Sequence, residues 1–143
     1  RMIDSGEPGH IVNTASTAGI LGFPTIASYV AAKHAVVGMS QSMYHELTPT
    51  SVSISVLCPG VVTTNINTSH RNRPGTDPSS VDKETFGTQL PEAMTPDQVA
   101  AVVAEAISDD RFWILPHPHY GDQALALAQT RIDETPPALP GML

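Results

Sequence analysis

The chain has 143 residues, of which 7 are basic and 14 acidic, for a formal net charge of −7. That acid surplus argues against a protein that grips nucleic-acid phosphates, which needs clustered Lys and Arg. Apolar residues at 41% and charged residues at 15% suit a chain with a buried core rather than a disordered one.

No apolar run approaches the roughly 18 residues of a membrane span, so no membrane partner is expected. Cys58 stands alone, which excludes an internal disulfide framework and suits a reducing, cytoplasmic setting. The sequence opens on Arg1 rather than Met, and the expectation is that a segment upstream is missing.

Gly9 to Ala15 reads as a short buried strand leaving the Pro8-Gly9 turn. Small polar residues follow at Ser16 to Gly19, then a loop holding Gly22 and Pro24. A helix is expected from about Ala27 to Leu47. Its inward stripe would be Ala32, Val36, Met39, Met43 and Leu47, and Ala31, Ala35 and Gly38 supply small faces for close packing. Thr48-Pro49 ends it, because the residue before proline resists helical geometry.

Val52 to Cys58 alternates and is β-rich, which predicts a second strand ending at Pro59-Gly60. Residues 65–91 turn to Asn, Thr, Ser, Pro and Gly, the composition of a long irregular loop, and such loops often act as lids. Thr95-Pro96-Asp97-Gln98 combines an N-cap, a first-turn proline and a capping-box glutamine. Val99, Val102, Val103, Ala106 and Ile107 form one stripe of the helix that follows. Phe112 to Pro116 reads as a third strand, Asp122 to Ile132 as a last helix, and 133–143 as an irregular tail. No internal repeat is visible.

Strands separated by helical crossovers pair in parallel, so the expected class is α/β. Three strands with flanking helices make a thin parallel sheet, best read as part of a larger doubly wound one. One flank of the first strand would otherwise carry unpaired backbone groups.

Tyr29 and Lys33 lie four positions apart on the predicted helix, hence on one face. A free phenol titrates near ~10, and a neighbouring cation favours its ionised form, which makes such a pair usable for acid/base work. Alone the spacing is weak, and a solvated helix face would explain it. Its company raises the signal: Ser16 at the end of the first strand, and Pro59-Gly60-Val61-Val62-Thr63-Thr64 at the end of the second. Polar residues at the carboxyl edge of a parallel sheet are where such folds bind ligands.

These segments resemble the short-chain dehydrogenase/reductase family, in particular the carboxyl-terminal half of a Rossmann-like member. The resemblance rests on Val12, Asn13 and Ser16, on Tyr29 and Lys33, and on Pro59, Gly60 and Thr64, all in family order. It covers Gly9 to Thr64 well and Thr95 to Pro116 more loosely. It implies an oxidoreductase that interconverts a carbonyl and an alcohol by hydride transfer with NAD or NADP as cofactor. Tyr29 would then move the proton, Lys33 would support it and bind the nicotinamide ribose, and Ser16 would hydrogen-bond the substrate oxygen. Pro59, Gly60, Val62 and Thr64 would line the nicotinamide side, with Thr64 and the backbone near Val62 holding the carboxamide. A small-molecule substrate and a homo-oligomer formed through the Tyr29-bearing helix are implied as well.

The Gly-rich phosphate-binding turn of that family is absent from Arg1 to Leu143, as is the residue that selects between the two dinucleotides. The isolated chain is therefore expected to bind a dinucleotide poorly, and the alternative is an inactive remnant serving only in packing or assembly. A serine-hydrolase reading fails because Ala15-Ser16-Thr17 lacks the Gly-x-Ser-x-Gly elbow. His117 and His119 flank Pro118, read as surface histidines, and no metal is expected. Asn67-Thr68-Ser69 reads as a chance glycosylation match, Asp82, Lys83 and Glu84 as solvated charges, and Trp113 as a packing residue.

Overall fold

A computed structural model describes residues 1–66 and 93–138. The elements run α1 (Met2–Ser5), β1 (Gly9–Thr14), a single 3-10 turn (Thr17–Gly19), α2 (Ala27–Leu47), β2 (Val52–Leu57), α3 (Pro96–Ser108), β3 (Trp113–Ile114) and α4 (His119–Ile132). The short α1 stops at Gly6, whose φ of 70° is open to glycine. The expected strands and helices are all present. The third strand is two residues rather than five, and the last helix starts three residues earlier than its sequence suggests. The expected loop lies outside the described residues beyond Ile66, as do the Asn67 site, the Asp82 charges and the end of the tail.

The sheet is parallel in the order β1-β2-β3. Gly9 pairs with Val52 and Thr14 with Leu57, so β1 and β2 run in step along their whole length. β3 joins through Val56 with Trp113 and Leu57 with Ile114. A central strand is covered on both faces, and β2 shows it. Val56 and Cys58 meet Ala15 of the β1 end and Val37 of α2. Leu57, on the other face, meets Val99 and Ala106 of α3, with Val12 beside them. Each such aliphatic side chain buried contributes about 1.5–3 kcal/mol.

The strands march across the sheet in chain order, yet α2 and α3 cover opposite faces. The two crossovers are therefore of opposite hand, although parallel connections are overwhelmingly right-handed. The Thr95 capping box is present in full: Thr95 Oγ1 accepts from the Gln98 N–H at 3.3 Å, and the Thr95 N–H donates to Gln98 Oε1 at 2.8 Å.

The predicted inward stripe of α2 needs correction. Val37 and Ser40 are its buried residues, while Ala32 is exposed and Met39 is 50% exposed. Apolar and small residues surround this helix, so periodicity does not choose a face. Asn13 does: its side-chain amide donates to Ser40 Oγ at 3.0 Å, and Ser40 donates to the Val36 carbonyl at 2.7 Å. No described helix is long and apolar enough to cross a membrane.

Candidate active site

Parallel pairing brings the carboxyl ends of β1 and β2 to one edge of the sheet, and the candidate residues gather there. Beyond Thr14 the chain continues the ladder for one residue, with the Ala15 N–H donating to the Leu57 carbonyl at 2.8 Å. Ser16 follows in extended geometry and caps the 3-10 turn, its hydroxyl oxygen accepting from the Ala18 N–H at 3.1 Å. An oxygen engaged as acceptor keeps its own hydrogen to donate elsewhere.

The 3-10 turn lies hard against α2. A Cβ on Gly19 would stand 2.8 Å from the Lys33 carbonyl oxygen and 2.9 Å from a Val37 methyl. Only glycine permits that approach, which fixes the Ser16 turn beside the helix turn that carries Lys33. The connecting loop enters α2 through Thr25 at φ 69°, a left-handed geometry that a β-branched residue adopts at a cost.

Tyr29 and Lys33 meet as their spacing predicts, with the Lys33 ammonium 5.7 Å from the centre of the Tyr29 ring. Lys33 Nζ also donates to the Thr14 carbonyl at 3.1 Å. The ammonium is thereby tied to the strand end two residues before Ser16. Tyr29 is 43% exposed, so its phenol is within reach of a small molecule.

Cys58, which the sequence offered only as a lone thiol, sits at the centre of this arrangement. It is buried, and burial pushes its thiol up from 9.0 to about 11. The Ser16 backbone N–H bonded to its sulfur and the charge of Lys33 pull weakly the other way. Cys58 is thus a buried packing group that touches the Ser16 turn, in surroundings that disfavour the thiolate.

The second strand end is held from three sides. The Pro59 carbonyl accepts from the Thr17 N–H at 2.9 Å, and the Gly60 N–H donates to His117 Nδ1 at 3.1 Å. Further on, Val62 forms an isolated parallel bridge with Met94. Its two bonds run from the Thr63 N–H to the Met94 carbonyl at 2.9 Å and from the Met94 N–H to the Val61 carbonyl at 3.1 Å. Successive peptide groups alternate in direction, so the amide and carbonyl of Val62 itself point away from Met94. Thr64 is exposed, and its Oγ1 accepts from the Ile66 N–H at 3.3 Å.

One expectation is revised here. His117 is no surface histidine, being only 4% exposed, and its ring lies 6.2 Å from that of His119 and 6.1 Å from that of Tyr120. Trp113, read as a packing residue, packs edge-on against Phe112 with 42% of it exposed. Among the described residues no three His, Cys, Asp or Glu side chains group as a metal site would require. Sequence reading missed Cys58 and His117 as parts of this edge. His117 lies 57 residues from its partner Gly60, and no local spacing announces such a pair.

Residues 1–75 match the profile of the short chain dehydrogenase family. The chain is 34% identical over 137 residues to 1-deoxy-11-beta-hydroxypentalenate dehydrogenase of Streptomyces avermitilis, covering 94% of this chain and 42% of that protein. Among solved structures it is similar to a short chain dehydrogenase/reductase from Burkholderia phymatum in complex with NAD. That likeness has a TM-score of 0.80 and 33% identity, over 97% of this chain and 53% of the other. A short-chain dehydrogenase from Sphingobium yanoikuyae in complex with NADPH gives a TM-score of 0.65 at 25% identity, over 94% and 47% of the two chains. The chain spans about half the length of these relatives. With its fold, its strand-end motifs and its profile in agreement, the chain belongs to the short-chain dehydrogenase family.

Proposed function

We propose that these residues form the acid/base and nicotinamide side of an NAD- or NADP-dependent oxidoreductase that interconverts a carbonyl and a secondary alcohol. The observation that carries this reading is the Lys33 ammonium, bonded to the Thr14 carbonyl at 3.1 Å while 5.7 Å from the Tyr29 ring centre. The chain is read as the carboxyl-terminal part of a single Rossmann-like domain, with 65–91 as the substrate loop. The solved relatives bound to NAD and NADPH support the cofactor class.

In the reductive direction Tyr29 gives its proton to the carbonyl oxygen, and in the oxidative direction it takes one from the hydroxyl. Lys33 stabilises the phenolate left behind, and its remaining N–H donors serve the ribose. Ser16 donates its free hydrogen to the same substrate oxygen and stabilises the charge that develops there. The nicotinamide, when bound, supplies or accepts the hydride. The Val62 amide and carbonyl, turned away from Met94, would offer the donor and acceptor pair that a carboxamide requires, with the Thr64 hydroxyl as a further donor. No Gly-rich phosphate-binding turn occurs in the 143 residues, so capture of the pyrophosphate needs polypeptide outside them. The exposed face of α2, with Ala32, Ala35 and Met39, is proposed to pack against a second copy, and the buried single thiol suits a cytoplasmic protein.

The test is a hydride-transfer assay, on polypeptide that also supplies the pyrophosphate-binding turn, following NADH or NADPH absorbance against a panel of ketones and secondary alcohols. Tyr29→Phe should remove nearly all turnover and leave cofactor affinity within about twofold of the parent, since only the proton-transfer group is lost. Undiminished turnover in that variant refutes the assignment. Lys33→Ala should impair both affinity and rate.

A further inference from the structure

We propose that His117 is a positioning residue whose Nδ1 lone pair fixes the Pro59–Gly60 peptide, and through it both the Ser16 turn and the Val62–Thr64 segment. The inference rests on the function proposed above, in which those two segments flank the reacting atoms.

One peptide unit carries the coupling. The described chain has no cis peptide bonds, so the carbonyl of Pro59 and the N–H of Gly60 point in opposite directions from one rigid plane. The carbonyl is held at 2.9 Å by the Thr17 N–H, next to Ser16. The N–H is held at 3.1 Å by His117 Nδ1. The plane is thus clamped at both ends, by the loop after β1 and by the segment after β3. Rotating it would break both bonds and re-aim Val61 to Thr64, which follow directly.

The clamp is tight as well as bonded. A Cβ on Gly60 would stand 2.8 Å from the Tyr120 ring and 3.1 Å from the His117 ring, so the two side chains close over the glycine backbone. His117 itself is buried. The Gly60 N–H lies in a part-buried bond, and leaving it without an acceptor is costly, so the imidazole cannot be replaced by a mere filler. Accepting at Nδ1 also sets the chemistry of the ring, because only an unprotonated nitrogen accepts. The neutral side chain must therefore carry its hydrogen on Nε2.

Asn and Gln separate acceptor from shape. Asn can place its carbonyl oxygen near the position of Nδ1, whereas the oxygen of Gln reaches the position of Nε2. In His117→Asn, hydrogen exchange at the Gly60 amide should stay near the parent rate. In His117→Gln it should accelerate by about tenfold or more. With polypeptide that also supplies the pyrophosphate-binding turn, the dissociation constant for NADH or NADPH should follow the same order, with Asn close to parent and Gln weakened several-fold.

Equal Gly60 exchange in the two variants overturns the proposal, whether both are protected or both are lost. The unmutated protein provides a check that does not depend on any variant folding. Nitrogen chemical shifts should report the Nε2–H tautomer of His117, with a scalar coupling across the hydrogen bond to the Gly60 nitrogen. A hydrogen found on Nδ1 in the neutral ring also overturns it. If Gly60 exchange follows the acceptor while cofactor affinity is unmoved, the clamp stands as a fold feature and its link to the nicotinamide side fails. Undiminished turnover in Tyr29→Phe would instead strike the proposed function itself, and the two failures are thereby distinguishable.

Discussion

Two serines, one in β2 and one just beyond β1, show how one hydroxyl can be spent on structure and another left open at the ligand edge of the sheet. Ser55, in β2, is fully buried and uses both of its capacities. It donates to the Arg111 carbonyl at 2.6 Å, which leaves its oxygen to accept from His10 Nε2 at 2.6 Å. The three residues tie the amino-terminal ends of β1 and β3 across the central strand. Arg111 in turn reaches Glu105 at 3.1 Å and Asp109 at 3.4 Å, so the turn before β3 is stitched into the sheet. Ser16, at the opposite edge, only accepts among the described residues, from the Ala18 N–H. Its hydrogen meets no acceptor among them, which is what the proposed role requires. A polar group whose bonds close within the protein stabilises it. One whose bonds stay open at the ligand edge of a parallel sheet is a candidate for catalysis.

Substitutions can break that contrast. The largest effect expected is on turnover: Ser16→Ala, like Tyr29→Phe, should slow hydride transfer by about 10²–10³-fold or more in the active protein. The same Ser16→Ala change should cost about 0.5–1 kcal/mol of stability, the value of a lost cap. Ser55→Ala should do the reverse, costing about 1–3 kcal/mol in urea unfolding because the Arg111 carbonyl and the His10 ring N–H both lose their partner. Were Ser55→Ala to unfold no more easily than Ser16→Ala, the distinction between the two hydroxyls would fail.

Glycines sharpen the same comparison. Gly60→Ala pushes a methyl into the His117 and Tyr120 rings and should destabilise by about 1–3 kcal/mol. Gly38→Ala, on a helix face with nothing within 4 Å of the new methyl, should stabilise by about 0.5–1 kcal/mol. Thermal melting of the pair would show opposite shifts, and a matching fall in both would mean the ligand edge is no tighter than the helix surface.

A separate effect is expected on the pH dependence of stability, confined to alkaline solution. The Cys58 thiol is held up to about 11 in the folded chain by burial, against an ordinary 9.0. A group whose folded value is raised leaves stability whole below the unfolded value and erodes it above. The parent should therefore lose stability relative to Cys58→Ala between pH 9 and about 11, and not below. A constant difference across that window would mean that the thiol is not desolvated.

Much of this was legible beforehand because it is local. The Thr95-Pro96-Asp97-Gln98 cap satisfies its own backbone groups within one turn, and it appears as written. Tyr29 and Lys33 meet because helical spacing alone puts them on one face. The polar residues of β2 were less transparent. Alternation of Val52, Ile54 and Val56 with Ser53 and Ser55 suggests one apolar and one polar face, yet Ser55 is buried once His10 and Arg111 satisfy it. His117 looked like a surface residue beside a proline until the sheet set it over Gly60.

The one-dimensional chain determined the α/β alternation, the helix cap, and the Tyr29–Lys33 pair, since each depends on residues only a few positions apart. Tertiary structure alone decided that α2 and α3 take opposite faces, that α2 turns Val37 and Ser40 inward, and that a histidine 57 residues away holds the Gly60 amide. Those outcomes are set by which hydrogen bonds and side chains close at once in three dimensions, and long-range closure leaves no period in the sequence to read.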